Sequence, residues 1–236
     1  MKIAQDHIQE LYKFTRKHYV EHYDLQTELV DHLANGIEKQ WQENPNLSFE
    51  DALQNEFKKF GAFGFMDVVE EKSAAMRKKY LKVVLSFFKE FFKFPKVLLT
   101  MCLVGLITIM LWNIPIGFRH GSVLGILFAH VFVVFYLLFK NRSNNELEMV
   151  RQGKKWLLKD QIYSYGHWVN FLNLLPIILN LKFIREQISM DNSLVLLAFA
   201  CLIVLSAFLT VTILIVVPSK ADELLSSTYP EYNFTN

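Results

Sequence analysis

The sequence predicts an all-α membrane protein: a small N-terminal cytoplasmic helical domain followed by a four-helix transmembrane bundle. Two observations predict it. Residues 97–118, 121–139, 161–181 and 192–219 contain no Asp, Glu, Lys or Arg, and a bilayer core about 30 Å thick takes roughly 20 such residues as helix. Residues 1–80, in contrast, carry charge throughout and repeat their apolar residues at helical spacing. The formal net charge of +2 over 236 residues hides this segregation. A chain of this length has room for one small soluble domain and a short set of spans, and for no large second domain.

Taken in order, Ile3, His7, Ile8, Leu11, Phe14 and His18 fall near helical spacing with Lys13, Arg16 and Lys17 between them, which predicts an amphipathic first helix over Ile3–Tyr19. A second begins near Asp24, a good N-cap residue, and sets Leu25, Leu29, Leu33, Ile37 and Trp41 at every fourth position. Asn44-Pro45-Asn46 breaks it. Ser48, with Asp51 three residues on, starts a third helix that runs to Phe60 and stops at Gly61. A fourth stretch, Phe65–Tyr80, follows Gly64. From residue 81 to 96, paired phenylalanines alternate with Lys82, Lys89 and Lys93, as in a juxtamembrane amphipathic helix at headgroup level or a cytosolic extension of the first span. Four spans are expected at about 97–117, 121–139, 163–181 and 193–217, and 220–236 forms a polar tail.

Span ends set the orientation, because short cytoplasmic flanks hold the excess of Lys and Arg. Arg77, Lys78, Lys79, Lys82, Lys89, Lys93 and Lys96 precede the first span, and Lys140, Arg142, Arg151, Lys154, Lys155 and Lys159 lie between the second and third. The other two turns offer Arg119 alone, and Lys182 with Arg185. Four spans with both termini cytoplasmic satisfy this asymmetry. The third span is the polar one, with His167, Asn170, Asn173, Pro176 and Asn180, and intramembrane asparagines either hydrogen-bond to neighbouring helices or make insertion less favourable. The charged first 20 residues leave no signal peptide expected, so the first span is its own insertion signal.

The residues that carry chemistry elsewhere find no matching pattern here. His18 and His22 stand four apart, but the HExxH order is absent and the domain has no Cys, so no metal and no cofactor is expected. Cys102 and Cys201 both fall inside spans and read as small apolar packers. His130 is the deep intramembrane ionisable residue, and it reads as a hydrogen-bonding packer rather than part of a proton path. There is no GxSxG and no Gly-rich phosphate loop. The chain reads as a non-enzyme.

Glu28-Leu29-Val30-Asp31-His32-Leu33, Ser48-Phe49-Glu50-Asp51-Ala52-Leu53 and Phe60-Gly61, about a quarter of the chain with the residues around them, resemble the HAAS-type helical domain of bacterial membrane proteins. The family pattern usually continues from FG to a small residue and Pro, whereas here Ala62-Phe63-Gly64 follows without Pro. The resemblance implies a signalling module in the cytoplasmic membrane of a bacterium, binding a cytoplasmic transcription regulator of PadR type, with no direct nucleic-acid contact and no particular homo-oligomeric state. It carries over no catalytic residues. Asp24, Glu28, Asp31 and His32 are the candidate partner-binding set, and membrane lipid is the other expected partner. The alternative is a small transporter or permease subunit built on the polar third span and His130.

Overall fold

The computed structural model describes residues 2–164, 189–230 and 232. Among these, all regular structure is helical. The chain forms two compact units, one made of Met1–Lys79, Met149–Asp160 and Tyr229–Asn236, the other of Tyr80–Glu148 and Gln161–Thr228. The first unit is therefore wider than the N-terminal 80 residues that the sequence marks out.

In the first unit α1 (Gln5–Lys17), α2 (Tyr23–Glu43) and α3 (Phe49–Lys58) pack around the apolar stripe of α2. Leu25, Leu29, Leu33, Ile37 and Trp41 are buried against Leu11, Phe49, Ala52, Leu53 and Phe65. Each fully buried Leu or Ile of this set contributes about 1.5–3 kcal/mol. Aromatic edges fill the space between elements: Phe57 meets Phe14 and Phe65 edge to face, and the His7 ring stacks on Phe49 at 4.2 Å. The α2–α3 turn is held by Trp41, whose Nε1 donates to the Leu47 carbonyl at 2.9 Å. Ser48 caps α3 as its sequence suggests, Oγ accepting from the Asp51 amide at 3.1 Å. Gly61 and Gly64 take positive φ, 79° and 56°, in the turn that leads to α4.

That helix, α4, runs from Met66 to Lys89 without the junction expected at Tyr80. No Gly or Pro lies between Gly64 and Pro95, so nothing in the chain stops it. One 3₁₀ turn, Glu90–Phe92, separates it from α5 (Lys96–Asn113). The helix α6 is likewise longer than its apolar core, Ile116–Gln152 instead of 121–139, and ends where Gly153 adopts φ 63°. A short α7 (Leu157–Ser164), α8 (Ser193–Val211), a π-helical turn (Thr212–Val216) continued by Val217–Ser219, and α9 (Ala221–Thr228) complete the described chain.

Lys96–Asn113, Ile116–Val150 and Ser193–Ser219 are long and apolar enough to cross a membrane. Their outward side chains are large and hydrophobic, Met101, Phe132 and Phe139 among them, a surface suited to lipid and unsuited to water. The third expected span, 163–181, with His167 and its asparagines, lies outside the described residues apart from its first two positions.

Within the second unit α5 and α8 pack antiparallel: Phe91, just before α5, stacks on Phe208 near the end of α8, while Leu111 clusters with Leu196 and Phe199 near its start. Arg119 is buried at one end, donating to the carbonyls of Trp112, Ile114 and Met190 at 2.7–2.8 Å. It satisfies carbonyls at the end of α5 and in the turn before α8. The π turn exposes backbone to a side chain, and Asn141 Nδ2 fills that role, donating to the Leu214 carbonyl at 2.8 Å. His130 Nε2 lies 3.2 Å from Thr210 Oγ1, the packing contact that the sequence suggests for it.

Candidate functional site

The candidate site is a notch in the first unit at the turn between α1 and α2. Two helix N-termini meet there, those of α2 and α7, each with backbone amides that lack partners in their own helix. Each helix supplies what the other needs. The Tyr23 amide donates to the Lys155 carbonyl at 2.7 Å, and the Leu157 amide donates to Asp24 Oδ1 at 3.1 Å. Asp24 is thus not the N-cap of α2, where His22 stands. It sits one residue into the first turn of α2 and caps α7 across space.

The second oxygen of Asp24 accepts from the Tyr229 hydroxyl at 2.7 Å. Above this pair Trp156, 1% exposed, is enclosed by the rings of Tyr23, Tyr229 and Tyr232 at 5.1–5.3 Å. The Lys154 ammonium lies 4.0 Å from the Tyr23 ring centre. At the rim His22 pairs with Asp160 at 3.2 Å, and Lys155 bridges Glu21 at 2.9 Å and Asp160 at 3.5 Å.

These contacts pull the titrating groups apart. Burial pushes the Asp24 carboxyl above the usual carboxylate range, against the bonds from Tyr229 and Leu157. Burial would raise Asp160 too, but the His22 ring and the Lys155 ammonium outweigh it and hold that carboxyl low. The Lys155 hydrogen bond lowers Glu21. Lys155 is raised, its two carboxylate partners overcoming the desolvation that opposes its charge.

Next to Tyr229 a cleft of about 460 Å³ opens along α2 toward α4. Asp24, Glu28 and Asp31 line it with Lys72 and Met76, because spacings of four and three residues put these carboxylates on one helix face. Glu28 is tied to Lys72 at 2.5 Å. His32 is elsewhere, with its ring edge to face against Phe60 at 5.4 Å. Three of the four candidate residues therefore share one cleft and the fourth does not. Asp24 is buried, not solvent-exposed. His18 and His22 diverge, His18 packing on Phe14 and Phe57. Among the described residues no group of three or more His, Cys, Asp or Glu side chains is placed to hold a metal ion.

Trp156, Leu157, Asp160 and Tyr229 are the site residues that sequence reasoning missed. Their signal was an apolar Trp-Leu-Leu run inside an otherwise basic linker, and two tyrosines around a proline in an otherwise polar tail. Comparison of the chain with family models, curated proteins and solved structures returns no match.

Proposed function

We propose that this chain is a non-enzymatic adaptor of a bacterial cytoplasmic membrane, whose N-terminal helical domain binds a cytoplasmic protein and couples it to the spans. The observation that carries the reading is the double acceptance by Asp24, from the Leu157 amide and the Tyr229 hydroxyl. One buried carboxylate ties the helical domain to the segment that follows α6 and to the segment that follows α9. A domain held to two membrane-connected segments at one residue has the connectivity that coupling requires. The cleft beside it, with Glu28, Asp31 and Lys72 at its edge, is the docking face. The likeness of residues 28–33, 48–53 and 60–61 to HAAS-type domains makes a PadR-type regulator the expected partner.

The same contacts support placing the N-terminal domain, the 149–160 segment and the 220–236 segment together in the cytoplasm. Same-side placement requires an even number of crossings, and the span read from the sequence over 163–181 supplies the fourth.

In-cell crosslinking of the tagged full-length chain, with mass spectrometry of what is captured, tests the reading. A transcription regulator captured by the unchanged chain and lost with Glu28→Lys plus Asp31→Lys supports it. Capture of membrane components alone, unchanged by that pair of substitutions, overturns it in favour of a transport role.

A further inference from the structure

The notch around Asp24 has the components of a recognition site for an aromatic segment, and the segment it holds belongs to this chain. Tyr229 and Tyr232 close two sides of the Trp156 ring, and Tyr232 is 2% exposed. The Tyr229 hydroxyl adds direction through its bond to Asp24 Oδ2. A buried carboxylate that loses such a donor costs more than the bond itself contributes. A replacement for Tyr229 must therefore bring a donor to Asp24 Oδ2, which tyrosine has and phenylalanine lacks. Space for a longer ligand is already present, since the cleft continues from Tyr229 past Leu25 and Asp31 to Met76. The resident segment is covalently tethered, so an effective concentration of the order of millimolar keeps it bound even where its intrinsic affinity is modest.

Building on the adaptor reading above, we propose that the notch is a binding site for tyrosine-bearing peptide segments, that Tyr229–Tyr232 is its resident ligand in cis, and that the partner docks by displacing it with a tyrosine-bearing segment of its own. The bound tail then sets a threshold for partner binding, and Asp24 is the residue that distinguishes tyrosine from phenylalanine.

The test is a fluorescently labelled peptide of residues 226–236 titrated against the full-length chain in detergent micelles and read by anisotropy. Tyr229→Ala, which releases the resident segment, is expected to bind the peptide at least about tenfold more tightly than the unchanged chain, and Tyr229→Phe to move the same way with less disturbance of packing. Adding Asp24→Asn to Tyr229→Ala is expected to cost about tenfold, as is Tyr229→Phe in the peptide itself. Circular dichroism confirms matched helix content. The proposal is overturned if neither Tyr229 variant binds better than the unchanged chain, or if peptide affinity ignores both Asp24→Asn and the lost hydroxyl. The two readings fail separately. Peptide binding without a captured cytoplasmic partner overturns the adaptor alone, and a captured partner indifferent to Tyr229→Ala overturns the displacement alone.

Discussion

At the scale of single residues, the first unit is decided by close approaches and by one costly charge. A Cβ on Gly36 would lie 2.3 Å from Glu56 Cδ, and Glu56 is buried, bonded to Gln40 at 2.6 Å and Lys59 at 2.5 Å. Gly36→Ala must therefore expel Glu56 and break that network, at about 1–3 kcal/mol. Slower hydrogen exchange in the unchanged α2–α3 pair than in the variant is the expected result. Gly105→Ala, at a position with open space around it, is the control expected to show no loss. Asp24 sets a pH dependence whose sign follows from its environment. With its carboxyl raised by burial, its contribution to folding is complete below the usual carboxylate range and is lost as pH rises through the raised value. Asp160 and Glu21 are lowered, so theirs is present above that range and lost as pH falls through the lowered values. His22, Glu28, Asp31, Lys72 and Lys79 face the same region. For these three carboxyls the notch is accordingly most stable between the lowered values of Asp160 and Glu21 and the raised value of Asp24. A thermal midpoint followed by near-ultraviolet circular dichroism should fall from there toward neutral pH in the unchanged chain and fall less in Asp24→Asn, with the His18 imidazole, held low by burial, acting in the opposite sense in both. An unaltered profile in the variant would remove Asp24 from this role.

At the scale of elements, local rules account for the helices whose ends are punctuated and fail for those whose ends are not. The Ser48 cap was legible because its chemistry is contained in four residues, and Ser48→Ala should cost about 1 kcal/mol and fray the first turn of α3. Exchange of the Asp51 amide, which loses its acceptor, reads this directly. If that amide exchanges no faster, solvent caps the helix as well as serine does. The α2 stripe was legible for a similar reason, since a four-residue period over Leu25–Trp41 specifies a buried face whatever it packs against. The lengths of α4 and α6 were not, because a change between soluble and lipid-facing composition does not break a backbone that has no Gly or Pro at that boundary, as between Gly64 and Pro95 and between Gly125 and Gly153. Asp24 was misread as the cap of its own helix because N-cap preference is a local statistic. The amide that Asp24 serves lies 133 residues away. Spacings of four and three put Asp24, Glu28 and Asp31 on one helix face but do not show a cleft beside them, and the aromatic enclosure of Trp156 depends on a chain path that brings residues 156 and 229 together.

At the scale of the whole molecule, the ends of the described helices constrain how the chain threads the membrane. In the second unit the Arg119 guanidinium binds Met190 and Trp112 carbonyls, so the α5–α6 turn and the start of α8 share one end. Toward the other end Asn141 of α6 reaches Leu214. The helices α6 and α8 consequently run in the same direction, and parallel neighbours require the intervening chain to return. In the first unit Asp24 holds both Leu157 and Tyr229, which sets the segments after α6 and after α9 together. With the cytoplasmic placement of the N-terminal domain and of the 220–236 segment proposed above, residues 117 and 191 are expected outside and residues 44 and 223 in the cytoplasm. Single cysteines at Gly117, Asp191, Asn44 and Glu223, all exposed positions, introduced after Cys102→Ser and Cys201→Ser, test it with a membrane-impermeant maleimide. Labelling of the first two in intact cells, and of the last two only after permeabilisation, is expected. If the cysteine at 223 is labelled from outside while the one at 44 is not, Tyr229 and Asp24 lie on opposite faces of the bilayer, and the tie between the helical domain and the chain's last segment does not exist in the membrane.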